Sequence, residues 1–224
     1  MIYCNSSLTG TDKQLTLAVP SDAQSSVLVQ SFSSDEENHS LKNSIISTLQ
    51  PNHDKQFGMC MKIQFSNPVD AQSKLLVGYE SGHIVLWDTV KPNALSNLKL
   101  FEDPIMCLTA WTTADSEISI KGCCGSTSTT LISFKVDNDI LVNDSSVEGT
   151  NAGFSDACCR GDSKIFVTGG WDNSGRVFSS KSLKPLVVLT FHQKGIGAVT
   201  FSEDKSLAMG CRAGYITLWD VYKK

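Results

Sequence analysis

Two short strands ending in Trp-Asp constrain this chain more than any other feature: His83-Ile84-Val85-Leu86-Trp87-Asp88 and Tyr215-Ile216-Thr217-Leu218-Trp219-Asp220, each a few residues after a glycine-containing turn. Between them run two weaker copies, Thr130-Leu131-Ile132-Ser133-Phe134-Lys135 and Gly175-Arg176-Val177-Phe178-Ser179, with phenylalanine at the tryptophan position. Steps of 47, 44 and 41 residues separate Trp87, Phe134, Phe178 and Trp219. A period of this length means that one supersecondary unit recurs and that each copy buries its apolar face against the next.

A more diverged copy lies upstream. Residues 15–19 and 26–30 read as two strands joined by a turn through Pro20, Ser21 and Asp22, which puts Gln30 at the aromatic position. The step of 57 residues from Gln30 to Trp87 is too long for one unit. The surplus is the polar segment 33–42, with Asp35-Glu36-Glu37 at its centre, which carries too little apolar surface to order itself and reads as an acidic, exposed loop. The units therefore fall at about 1–34, 45–90, 95–137, 138–181 and 184–222. In the last, residues 186–191, 197–201 and 206–210 precede the Trp219 strand, with turns at Ser202-Glu203-Asp204-Lys205 and Arg212-Ala213-Gly214. No stretch sustains a helical period, so the expected fold is all-β.

Bulk properties exclude several functions. With 19 basic against 23 acidic residues the net charge is −4, which offers no basic field for a nucleic-acid backbone. The start, Met1-Ile2-Tyr3-Cys4-Asn5-Ser6-Ser7, lacks a basic and then apolar leader, and no stretch approaches the roughly 18 apolar residues of a membrane span, so the chain is expected in an intracellular compartment and off the membrane.

Catalytic and metal chemistry find little support. Eight cysteines include the adjacent pairs Cys123-Cys124 and Cys158-Cys159, whose thiols on a strand point to opposite faces. There is no CxxC, and the four histidines, His39, His53, His83 and His192, show no ligand spacing. The expectation is no metal, no cofactor and no catalytic residue; hydrolysis assisted by a metal at the cysteine pairs ranks third among the functions. Gly122-Cys123-Cys124-Gly125-Ser126-Thr127-Ser128 lacks the GK[ST] ending of a phosphate loop and reads as a hairpin turn. On a solvated loop nothing separates the pKa values of Asp35, Glu36 and Glu37, so the segment reads as solubilising, with phosphorylation at Ser33, Ser34 or Ser40 as its one regulatory option.

At the level of the repeat the chain resembles WD-repeat proteins. More narrowly, the run Val167-Thr168-Gly169-Gly170-Trp171-Asp172-Asn173 to Val177-Phe178, the stretch from Lys184 to His192, Leu17-Ala18-Val19-Pro20, and residues 76–82 resemble the family of G-protein β-subunit-like protein 1 and ASTRA-associated protein. That resemblance implies a WD40-type β-propeller with about five blades in this sequence. Seven are expected for the family, with the remainder N-terminal to this sequence and an unpaired outer edge at its own ends. It implies a non-catalytic scaffold in the chaperone-linked assembly that matures phosphatidylinositol 3-kinase-related kinases. RuvB-like ATPases, kinase-maturation co-chaperones and chromatin-associated complexes are its implied partners, in nucleus and cytoplasm. A G-protein β-like signalling subunit is the alternative, although the N-terminal coiled-coil helix that would pair with a γ partner is not in the sequence.

The same resemblance assigns structural roles. Trp87, Phe134, Phe178 and Trp219 are expected in the core, where an aromatic packs one blade on its neighbour. Asp88 and Asp220 complete the Trp-Asp endings. His192 holds the position of a histidine that usually meets an aspartate, but Ala213 stands at the aspartate position. Asp172 has the aspartate without an evident histidine, Ser81 replaces the aspartate near Trp87, and Phe101 replaces the histidine in the Trp111 unit. Trp171, in the turn beside Asp172, reads either as an exposed interaction residue or as packing across the blade end.

Overall fold

The computed structural model describes residues 6–10, 14–21, 25–35, 40–51, 57–66, 74–113 and 119–222. Among these every regular element is a strand, and nineteen strands form five sheets in which neighbours in sequence are neighbours in space. Blade one holds β1 (Ser7–Gly10), β2 (Gln14–Pro20), β3 (Val27–Asp35) and β4 (Ser40–Leu49). Blade two holds β5 (Cys60–Phe65), β6 (Lys74–Tyr79), β7 (His83–Asp88) and β8 (Ala94–Lys99). Blade three holds β9 (Cys107–Thr113), β10 (Ser119–Gly125), β11 (Thr130–Asp137) and β12 (Ile140–Glu148). Blade four holds β13 (Phe154–Cys159), β14 (Ile165–Gly170), β15 (Gly175–Ser179) and β16 (Pro185–Leu189). Blade five holds β17 (Ile196–Phe201), β18 (Ser206–Cys211) and β19 (Ile216–Asp220).

These are blades of a WD-type β-propeller fold, and the repeat is visible in the backbone. The first strands of blades two, four and five each bulge one residue after they begin, at Cys60/Lys62, Phe154/Asp156 and Ile196/Ala198. The sequence units and the sheets are offset by one strand, because β16 pairs with β15 although it opens the following unit.

Burial explains the strand compositions. β14, IFVTGG, is buried along its whole length, and β6, KLLVGY, everywhere but Lys74, so these middle strands are continuous apolar runs. The outer strands β8 and β16 are mostly exposed and accept Ser, Asn and Pro. The chain divides into two compact units, Met1–Ile105 with Val136–Val142, and Met106–Lys135 with Asn143–Lys224. In the first, Val27 and Val29 of blade one pack with Val77, Val85 and Trp87 of blade two. In the second, Trp111, Leu131 and Phe154 pack with Phe166 and Phe178, while Val167 and Val177 pack with Ile196, Val199 and Met209.

Two expectations need correction. Segment 33–42 is not a loop throughout: β3 runs to Asp35 and β4 begins at Ser40, with Ser33 opposite Lys42 and Asp35 opposite Ser40. A hairpin ladder satisfies backbone groups whatever the side chains, so a polar sequence does not by itself end it. Glu36, Glu37 and His39, like His53, lie outside the described residues.

The second correction concerns Trp219. Trp87 and Phe134 are fully buried and Phe178 nearly so, but Trp219 is only half-buried. β19 is the edge of its sheet among the described residues, and Ile216 and Leu218 are 77% and 76% exposed where Ile84 and Leu86 are wholly buried. Accordingly, Trp87→Ala is expected to destabilise by about 3–5 kcal/mol, the range for emptying a buried aromatic site, and Trp219→Ala by roughly half as much. Urea midpoints at constant slope measure both; equal losses would place Trp219 in a fully packed site.

Candidate functional site

The loop end of blade four gathers the exposed aromatic and polar residues that its strands leave over. β14 and β15 pair from Ile165 opposite Ser179 to Gly169 opposite Gly175, and the chain then turns through Trp171, Asp172, Asn173 and Ser174. Gly170 N–H donates to Ser174 O at 2.9 Å, and Asn173 takes a positive φ of 68°, a conformation asparagine tolerates well. Pinned at the first turn position, Trp171 donates its backbone N–H to Gly153 O at 3.0 Å.

Gly153 is required there. Its φ is +90°, and a Cβ at this residue would sit 2.2 Å from Trp171 Cε3, so the indole lies across the glycine and takes the space of a side chain. Trp171 is still 42% exposed, so one aromatic side chain both packs on the blade end and faces solvent.

Asp172 has the partners that its missing histidine would have supplied. Arg176 grips it with two parallel hydrogen bonds, Nη1 to Oδ1 at 3.0 Å and Nη2 to Oδ2 at 2.6 Å, and Asn151 Nδ2 donates to Oδ2 at 2.8 Å. The Arg176 hydrogen bonds hold its carboxyl below the usual aspartate range against the opposing effect of partial burial. Beside Arg176 opens a cleft of about 220 Å³ lined by Leu131, Val147, Phe154, Phe178 and Val188. Glu148 stands on its rim, where the Thr129 and Thr130 hydroxyls donate to the carboxylate and lower its pKa.

The other assigned residues are structural. Asp88 Oδ1 accepts from the N–H groups of Val90 and Lys91 at 2.8 and 3.0 Å and so closes the turn after β7. His192 is buried without an aspartate, yet its Nε2 meets Thr217 Oγ1 at 2.9 Å, and Trp219 Nε1 donates to the same oxygen at 2.8 Å. At Trp87 the position corresponding to Thr217 is Val85, and the Trp87 Nε1 is left buried without a hydrogen-bond partner. Ser81 Oγ instead meets His83 Nδ1 at 2.9 Å. Asp220 ends β19 opposite Ser206.

Arg176, Asn151, Gly153 and Thr217 were not singled out by the sequence. Arg176 had a signal: a lone cation on the otherwise apolar strand GRVFS, four residues after an aspartate. Asn151 and Gly153 had none, since they reach the site from the preceding connection.

Nucleophilic chemistry finds no support in the two adjacent cysteine pairs. Burial pushes the Cys123 and Cys124 thiols well above their ordinary value and Cys159 up to about 12, so the reactive thiolate is scarce at neutral pH. Cys158 and Cys159 pack into different cores, as their alternation on a strand requires. Among the described residues no group of three His, Cys, Asp or Glu side chains converges, and no helix is long and apolar enough to cross a membrane.

The five meandering sheets, two of them with a Trp-Asp ending, define a WD-repeat protein, and the family described as "WD domain, G-beta repeat" matches residues 183–220. Guanine nucleotide-binding protein subunit beta-like protein 1 of Mus musculus is 34% identical over 180 residues, covering 79% of this chain and 53% of that protein. ASTRA-associated protein 1 of Schizosaccharomyces japonicus is 27% identical over 160 residues, covering 66% of this chain and 44% of the relative. ASTRA-associated protein 1 of Schizosaccharomyces pombe is 41% identical over 64 residues, or 28% of this chain and 17% of that protein. The chain thus spans about half the length, or less, of these relatives. A chain in the crystal structure of the mitotic checkpoint complex superposes with a TM-score of 0.66 over 98% of this chain and 62% of its own, at 17% identity, a likeness of fold. The chain carries the WD repeat and is similar to guanine nucleotide-binding protein subunit beta-like protein 1 and ASTRA-associated protein 1.

The geometry of Asp172 sets an acid dependence. Its folded pKa lies below the unfolded value of about 3.9, so its contribution is complete above that pH and is lost as pH falls through the folded pKa. Arg176→Ala is expected to cost about 1–3 kcal/mol at pH 7, the worth of hydrogen bonds to a charged group. Asp172→Asn is expected to reduce the loss of stability below about pH 4. Denaturant midpoints across pH 3–7 test both, and an unchanged acid limb in Asp172→Asn would contradict the assignment.

Proposed function

We propose that the chain is a non-catalytic protein-interaction scaffold of an ASTRA-like, chaperone-linked assembly that matures phosphatidylinositol 3-kinase-related kinases. Its partners are RuvB-like ATPases and kinase-maturation co-chaperones, and its setting is the nucleus and cytoplasm, in contact with chromatin-associated complexes. Trp171 carries this reading: a tryptophan 42% exposed, oriented by Gly153 and flanked by the internally satisfied Asp172–Arg176 pair. A rigid aromatic beside an apolar cleft is the kind of anchor around which binding energy concentrates. The resemblance to ASTRA-associated proteins supports the choice of assembly. The resemblance to a guanine nucleotide-binding subunit beta-like protein keeps a γ-type subunit as the competing outcome.

Affinity purification of the tagged chain from native cells, followed by quantitative mass spectrometry, tests the proposal. RuvB-like ATPases and kinase-maturation factors are expected with the wild type, and Trp171→Ala is expected to lower their recovery roughly tenfold, a loss typical of one interface hot spot. Recovery of a γ-like subunit in their place, or identical recovery with Trp171→Ala, would overturn it.

A further inference from the structure

At the end of blades three and four away from Trp171, the facing ends of β9 and β10 and the β13–β14 and β15–β16 connections border a second, larger depression of about 820 Å³. Lys121, Lys135, Lys164 and Lys181 line it, and Asp162 is the one acidic residue among the described lining residues. Asp162 is already answered. Arg160, 4% exposed, donates from Nε at 3.0 Å and from Nη2 at 2.9 Å to its two carboxylate oxygens, and Lys205 Nζ lies 3.8 Å from Oδ2. The same Arg160 donates from Nη1 to Val221 O at 2.9 Å, so this wall of the depression is held by a buried clamp.

No such partner answers the four lysines. None forms an ion pair among the described residues, although the chain as a whole carries a net charge of −4. Lys121 and Lys135 are half-buried on β10 and β11, which fixes their stems, while Lys164 and Lys181 stand exposed on the turns. Lys121 lies opposite Trp111 in the β9–β10 ladder, and Trp111, stacked on Phe166 with centroids 5.4 Å apart, also lines the depression. The result is a concave site with an aromatic in its wall and, around it, four lysines that form no ion pair among the described residues. Like charges brought together without counter-charges raise the energy of the free protein, and an anionic occupant relieves it.

We infer that this depression is a docking site for an acidic segment of a partner protein, one with several closely spaced carboxylates. Lysines present point charges and lack the planar fork with which arginine selects a single phosphate or carboxylate, so a spread of negative charge suits them better than one group. A peptide fits better than a nucleic acid. On a chain of net charge −4 the depression offers only a short cluster of positive charge, which suits a short acidic segment better than a long polyanion.

Fluorescence anisotropy of the full chain with a labelled glutamate-rich peptide containing one leucine tests the inference. Its glutamine counterpart and a single-stranded DNA oligonucleotide serve as competitors. Binding of the glutamate peptide is expected at low salt and is expected to weaken at least roughly tenfold in about 0.5 M salt, where screening acts within ~4–5 Å. The double variant Lys164→Glu, Lys181→Glu, confined to exposed turns, is expected to weaken it by a similar factor, while Lys164→Arg, Lys181→Arg retains it. Trp171→Ala is expected to leave it unchanged, which separates this site from the proposed scaffold surface. Absence of binding at low salt, equal binding of the glutamine peptide, tighter binding of the oligonucleotide, or an unaffected charge-reversed variant would each overturn the inference.

Discussion

A propeller blade is a sheet with two apolar faces, and the burial of both faces is the constraint on which the rest of this structure depends. Middle strands such as β14 and β6 meet it with nearly unbroken apolar sequence, and the aromatic of the third strand supplies the largest single area. The same motif behaves differently where a face is left open. Ile84 and Leu86 are inaccessible, while Ile216 and Leu218, likewise three residues and one residue before the tryptophan of a Trp-Asp ending, are among the most exposed apolar side chains. Burial is a property of what a blade packs against as much as of its own residues.

Once apolar packing carries the stability, the polar residues of each blade are free to differ. Blade five keeps a histidine, a threonine and a tryptophan linked through Thr217 Oγ1 but has Ala213 in place of the acid. Blade four keeps the acid and replaces the threonine by Arg176, which forms a bidentate pair with it. Blade two has neither, and its Trp87 Nε1 is left without an acceptor, a cost of about 1–3 kcal/mol. These local arrangements shape the blade ends, where Trp171 and the lysines lie, without disturbing the sheets beneath them.

The fold was legible in the sequence because period, strand pattern and turn residues all follow from backbone geometry, which leaves a trace in every repeat. Trp87, Phe134 and Phe178 could be assigned to the core on that basis. Trp219 could not be distinguished from them, since its exposure depends on packing rather than on any local pattern. The acidic segment was misread because composition reports how a side chain meets water and says little about whether a hairpin ladder continues through Ser33 and Asp35. Trp171 was noticed, but Gly153 and Asn151 were not, because they meet it from a separate connection. The lysine site was illegible for the same reason: Lys121, Lys135, Lys164 and Lys181 are scattered in sequence and meet only where two blades end.

Amide hydrogen exchange followed by mass spectrometry tests the central claim most directly, by comparing strands of like sequence and unlike cover. If burial of both faces holds the blades together, amides of β7 and β15 exchange slowest, near the limit of global unfolding, while those of β19 exchange faster through local opening. Protection of β19 equal to that of β7 would contradict the account, because it would show that the Trp-Asp strand is stable without its outer face covered.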